Sequence, residues 1–282
     1  TVGIRAEGGS RLVVRDNCAL WDAGGRCNEW CGDTSTPRDG IRGRMWPGGV
    51  GESYVVLLDD SPGALIERSS LCSTDTAVGA GIRVRGNAAG TIIRANRIGA
   101  WGGDNESHGI RLDACGGAAP WIVDNNKIHG EGGSTSALAD GVHVEGDCHP
   151  VIERNVEIVG TAEGRGFEPS GVYCRPDAAS VASRCVVVDN ALIQGSSFGS
   201  PDVSIGVRCG RGSCARIEGN TITGRGGNHP YGLWLENTGV FVADNSIAGG
   251  CPTGASYGVL SVNAWPRLEN NVISGGTCNG GA

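Results

Sequence analysis

Lysine occurs once in the chain, at position 127; every other basic residue is arginine, and Lys and Arg together number 23 against 30 Asp and Glu. A formal charge of −7 without a lysine-rich tract leaves nothing to grip nucleic acid or an anionic membrane, and neither is an expected partner. Methionine is also single and phenylalanine occurs three times, too few for a layered globule with a thick aromatic core. No apolar run reaches the ~18 residues of a transmembrane helix. The cysteines form no CxxC knuckle and the histidines no ligand spacing, so no metal and no cofactor are expected. The chain opens at Thr1 directly on a repeating pattern, without a leader, and reads as a mature segment of a secreted or surface protein.

What is abundant is glycine, with 50 residues, and cysteine, with 12. An even number of dispersed cysteines reads as a disulfide framework and places the chain in an oxidising compartment.

The glycines belong to a repeat. A glycine is followed by an aliphatic, any residue, often another aliphatic and a polar turn; a further aliphatic follows, with Asn three positions later and an aliphatic two beyond. The plainest copies are GIRVRGNAAGTIIRANRIG from Gly81, GVRCGRGSCARIEGNTITG from Gly206 and GLWLENTGVFVADNSIAGG from Gly232. Others open at Gly3, Gly109, Gly141, Gly171 and Gly258, and a degenerate one at Tyr54 places Ser69 at the Asn position. The starts fit a coil of about 26 residues with insertions, repeated nine times. One long excursion, Trp21 to Ser53, interrupts the first coil. Each coil holds two or three short runs of alternating apolar residues between Gly, Asn and Asp, the signature of strands. Alternation turns Ile82, Val84, Ile93, Ile98, Val142, Val144, Ile217 and Ile222 inward. The recurring amides are Asn17, Asn96, Asn126, Asn155, Asn190, Asn220, Asn245 and Asn271. They are expected to be mostly buried, taking the left-handed turn conformation and bonding up the stack as a ladder.

On these repeats the chain resembles the right-handed parallel β-helix proteins, the pectate-lyase-like group, over its whole length. The resemblance implies an all-β fold: one right-handed parallel β-solenoid domain over residues 1–282, of about nine rungs. That group holds lyases, hydrolases, epimerases, tailspikes and adhesins, so it specifies architecture and leaves function open.

Stacked coils lie about 4.8 Å apart, within the reach of a disulfide. Cys115 and Cys148 follow their glycines at six and seven residues and are expected to pair, as are Cys251 and Cys278. For Cys174, Cys185, Cys209 and Cys214, pairs between coils (Cys174 with Cys209, Cys185 with Cys214) compete with loops inside one coil. The excursion gives Cys27 with Cys31 and leaves Cys18 with Cys72.

The outward face of the first strand is where a site is expected. One row reads Arg83, Arg111, His143, Tyr173, Arg208, Trp234, and the next Arg85, Asp113, Glu145, Arg175, Gly210, Glu236. An acidic glycan could lie along it, with Arg83, Arg111 and Arg175 neutralising carboxylates and His143 or Tyr173 moving a proton, as in the lyases and epimerases of the resembled group. Alternating charges on neighbouring strands also stabilise a sheet without any ligand. The Asp-Pro-His-Asp motif of the epimerases and a calcium-binding carboxylate cluster are both missing. His108, His129, His149 and His229 read as loop residues at unrelated phases, and Trp121 and Trp265 as equivalent packing residues beside Pro120 and Pro266.

No capping element is evident at either end. Cys251 precedes Gly258 by seven residues, and Cys278 would stand seven before Gly3 of a following copy, so the register continues from one chain to the next. Ile4 and Val14 of the first coil would then meet Val259 and Ile273 of the last coil of another copy. The leading expectation is a structural extracellular solenoid, a head-to-tail fibre subunit or adhesin-like shaft. A polysaccharide lyase or epimerase, and a carbohydrate-binding module, are the alternatives.

Overall fold

The structure, a computed structural model, describes residues 2–17, 41–44, 51–74, 77–103, 105–133, 138–162, 168–177, 182–197, 203–251 and 254–276. Every regular element among them is a β-strand. The strands form three parallel sheets of nine, and in each sheet the order follows the chain, coil upon coil. Each of the nine coils therefore contributes three strands. The first strands are the long ones: Val2–Glu7, Glu52–Asp59, Val78–Arg85, Glu106–Asp113, Leu138–Glu145, Ser170–Arg175, Val203–Gly210, His229–Glu236 and Tyr257–Val262 in coils 1 to 9. Ile41–Arg44, inside the segment read as one excursion, is the third strand of coil 1, paired with Ser70–Thr74, and Glu52 and Ser53 already belong to coil 2.

The repeated glycine has a steric cause. A Cβ on Gly141 would lie 2.6 Å from Ile158 Cγ2 and 2.7 Å from the carbonyl of Gly171, and Gly81 to Gly258 meet their own coil's isoleucine in the same way. The third strand packs directly on the backbone of the first, which leaves no room for a side chain. Register puts Tyr54 beside Val2 and Ala80, so the glycine position of coil 2 is Val55, one residue later than expected, and Leu71 stands there in place of isoleucine.

One continuous core runs through the stack, and Ile82, Val84, Ile93, Ile98, Val142, Val144, Ile217 and Ile222 are all buried in it. In coil 9 the equivalent positions are open: Leu268 and Ile273 are each 44 % exposed, while their neighbours Val242 and Ile247 in coil 8 are 0 % and 1 %. Val14 of coil 1 is buried, and Ile4 and Val259 are partly so.

The amide ladder runs from Ser69 through Asn96, Asn125, Asn155, Asn190, Asn220 and Asn245 to Asn271, with Nδ2 to Oδ1 distances of 2.9–3.1 Å between successive asparagines. Asn17 joins it through Ser69 Oγ. Asn125, not Asn126, is the member from coil 4. Every member lies three residues after the inward aliphatic of the second strand, Ile122 for Asn125, whereas the turn to the next aliphatic varies by one residue and misplaces a count made forwards. Nor is the asparagine itself left-handed. The residue before it takes the positive φ, from Asp16 (61°) through Ala95, Asp124 and Asp189 to Asn270 (52°). That residue makes the bend, and the asparagine is left inside to saturate buried backbone, Asn96 Nδ2 donating to the carbonyl of Ile66, for example.

Cys115 and Cys148 join coils 4 and 5 with a Cα separation of 4.7 Å. Cys174–Cys185 and Cys209–Cys214 each close a loop inside one coil. Cys174 stands beside Cys209 in register, and Cys185 beside Cys214, but each sulfur turns across the interior to the other strand of its own coil, so the pairing between coils does not form. Cys72 and Cys251 are disulfide-bonded too. Cys18, Cys27, Cys31 and Cys278 lie outside the described residues. Among the described residues, no helix is long and apolar enough to cross a membrane.

Candidate functional site

The two outward rows exist as expected. Arg83, Arg111, His143, Tyr173, Arg208 and Trp234 are successive partners across coils 3 to 8, with Arg85, Asp113, Glu145 and Arg175 beside them. A third row lies on the other side of the glycine: Tyr54, Ala80, His108, Asp140, Ser170, Ile205, Tyr231 and Tyr257. The strand carries side chains from both sides of the glycine to the same outer surface, so residues three apart converge. Asp140 and His143 are the clearest case, with His143 Nδ1 2.7 Å from Asp140 Oδ2.

His108 is therefore no loop residue. It lies in the first strand of coil 4, and with Asp140 and His143 it forms a fully buried group whose ligand atoms all fall within 4.8 Å of one another. His129 lies in the third strand of coil 4 and His229 opens the first strand of coil 8. The third row is readable in the sequence as the residue before each coil glycine, once that glycine is recognised as the bend.

Around the triad the charges close into a ring. His108 Nε2 is 3.4 Å from Glu106 Oε2 and its Nδ1 3.4 Å from Asp140 Oδ2; His143 Nε2 is 3.7 Å from Glu145 Oε2. Arg111 pairs with Glu106 and stands 3.8 Å from Glu145, joining the two ends. The imidazole of His108 and the guanidinium of Arg111 bring the Glu106 carboxyl down to about 2, and His143 and Arg175 bring Glu145 to about 2. Burial would raise Asp140, but the two imidazoles outweigh it and hold its carboxyl well below the carboxylate range. Burial would lower His143, and Asp140 and Glu145 outweigh it in turn, so its imidazole is raised.

The arginines are all engaged. Arg83 Nε and Arg111 Nε both donate to Asp113, at 2.7 and 2.8 Å, and Arg83 also reaches Glu52 and the Tyr54 hydroxyl. Arg85 pairs with Asp59, Arg175 with Glu145 and Arg208 with Glu168. The Arg208 guanidinium lies 4.7 Å from the Tyr173 ring centroid and 4.9 Å from that of Trp234. Tyr173 stands edge-on to His143 at 5.3 Å, and burial raises its phenol. At coils 8 and 9, Tyr231 stacks on Tyr257 and meets Trp234 edge-on. Trp121 and Trp265 are 50 % and 73 % exposed, and the Trp265 indole lies against Gly239. They are not equivalent, because Trp121 aligns with the row that ends in Arg267.

A carboxylate-held imidazole beside a phenol can transfer protons, and a ladder of paired charges can lock coils together. A family model described as a right handed beta helix region matches residues 108–282, more than half of the chain. The chain belongs to that family. No curated protein and no solved structure matches it. What comes with the family is the solenoid and its stacked rows, on which every side chain above is placed.

Proposed function

We propose that the chain is a structural part of an extracellular protein, a disulfide-braced shaft that stacks head to tail on further copies of itself. One observation carries this reading: each arginine of the two outward rows is held by a carboxylate of its own or a nearby coil. A uronate lying on the face would have to displace those partners, so the face spends its charge on itself. The paired face and the disulfides at successive coils both suit a load-bearing rod. Incubation with a panel of uronic-acid polymers tests it. The expected result is no unsaturated or epimerised product and no retention on the immobilised polymer; turnover of any of them removes the structural reading.

The Asp140–His143 contact and the neighbouring Tyr173 favour a second reading, a polysaccharide lyase or epimerase. In that case His143→Ala or Tyr173→Phe abolishes activity with the fold intact, and Arg83, Arg111 and Arg175 bind the glycan.

A further inference from the structure

We propose that His108, Asp140 and His143 form a binding site for one divalent transition-metal ion of the zinc type. The three side chains come from adjacent coils, are 0 % exposed, and bring their ligand atoms within 4.8 Å of one another. Both imidazoles direct Nδ1 at the same oxygen, Asp140 Oδ2, at 3.4 and 2.7 Å. Two nitrogens and a carboxylate oxygen are a donor set that zinc accepts with one position left for water or another ligand.

An independent observation points to a missing partner. His108 Nδ1 and Asp140 Oδ1 are buried without a hydrogen-bond partner, an arrangement that costs about 1–3 kcal/mol per atom unless something satisfies it. An ion between the two Nδ1 atoms and the carboxylate supplies what His108 Nδ1 and Asp140 lack.

The surroundings fit as well. Glu106 faces His108 Nε2 and Glu145 faces His143 Nε2, the outer carboxylates that orient metal-bound imidazoles and leave Nδ1 for the ion. Of the carboxylates around the two imidazoles, Glu106 pairs with Arg111 and Glu145 with Arg175. Arg111 lies between Glu106 and Glu145, and the Tyr173 ring stands edge-on to His143.

The test uses the whole chain after treatment with a chelator. Titration with Zn2+ by calorimetry, and with Co2+ by visible absorption, is expected to give one ion per chain, a four- or five-coordinate cobalt spectrum and a raised melting temperature. Asp140→Asn and His108→Asn are expected to weaken binding at least tenfold each, while His149→Ala and His229→Ala leave it unchanged. Should the triad variants fail to fold, the cobalt spectrum of the unmodified chain decides alone, because surface imidazoles give the weak bands of a six-coordinate ion. Absence of stoichiometric binding, a six-coordinate spectrum, or loss of binding in His149→Ala or His229→Ala overturns the proposal.

Discussion

Asn155 donates twice to one oxygen, Asn190 Oδ1: its main-chain N–H at 3.0 Å and its Nδ2 at 2.9 Å. Its own Oδ1 accepts the same pair from Asn125, and its Nδ2 also reaches the carbonyl of Ile122. Truncation at this position strips partners from two coils at once. Asn155→Ala is expected to destabilise by about 2–4 kcal/mol, because the buried Asn125 N–H and Ile122 carbonyl lose the partner that this side chain supplies. Asn155→Ser should cost less, since Ser69 holds the ladder position in coil 2. Urea denaturation of both variants measures the difference, and equal losses would contradict the ladder as the cause.

Gly141→Ala should destabilise by about 1–3 kcal/mol through overpacking, as its Cβ meets Ile158 Cγ2. Coil 2 places Val55 against Leu71, which has no branch at Cβ, so Ile158→Leu is expected to restore part of the loss. Non-additivity in the double variant is the readout, and strict additivity would show that the backbone contact with Gly171 dominates.

The bridges should differ in weight. Their separations of 33, 11 and 5 residues correspond to about 4, 3 and 2 kcal/mol of chain entropy for Cys115–Cys148, Cys174–Cys185 and Cys209–Cys214. Paired serine substitutions, melted one pair at a time, give the order; the largest loss at Cys209–Cys214 would go against it.

Burial, with Lys127 and Arg97 nearby, pushes the imidazole of His129 down from 6.5 to about 3. A base depressed in the folded state contributes stability above its unfolded value that is lost as the pH falls from there towards the folded one. Acidification from about pH 7 to about pH 5 should therefore cost the unmodified chain more than His129→Gln, while carboxylates remain ionised in both states. Denaturation midpoints at the two pH values give the comparison, and equal losses would contradict the buried neutral imidazole.

The periodicity of Gly, aliphatic and Asn makes the coils, the core and both outward rows legible in the sequence, because each repeat states the same inward and outward alternation. Three features escaped. Asn125 was missed because the turn after the ladder varies in length, and Val55 because one coil substitutes the residue that marks the bend. The triad was missed because period-two alternation places His108 and Asp140 out of phase with His143; only the bend at the glycine brings them to one surface. The choice between disulfides within and between coils was open in the sequence, since each of the four cysteines has one candidate partner in its own coil and another stacked on it in the neighbouring coil.

The central claim is a shaft that lengthens by stacking, and particle length reports on it directly. The nine coils, at about 4.8 Å each, span roughly 43 Å. Negative-stain microscopy over a concentration series is predicted to show thin rods that are multiples of that length, shortened to single units by Ile4→Pro, which removes an edge donor. Single units at every concentration, or rods of unchanged length in the Ile4→Pro variant, would contradict it.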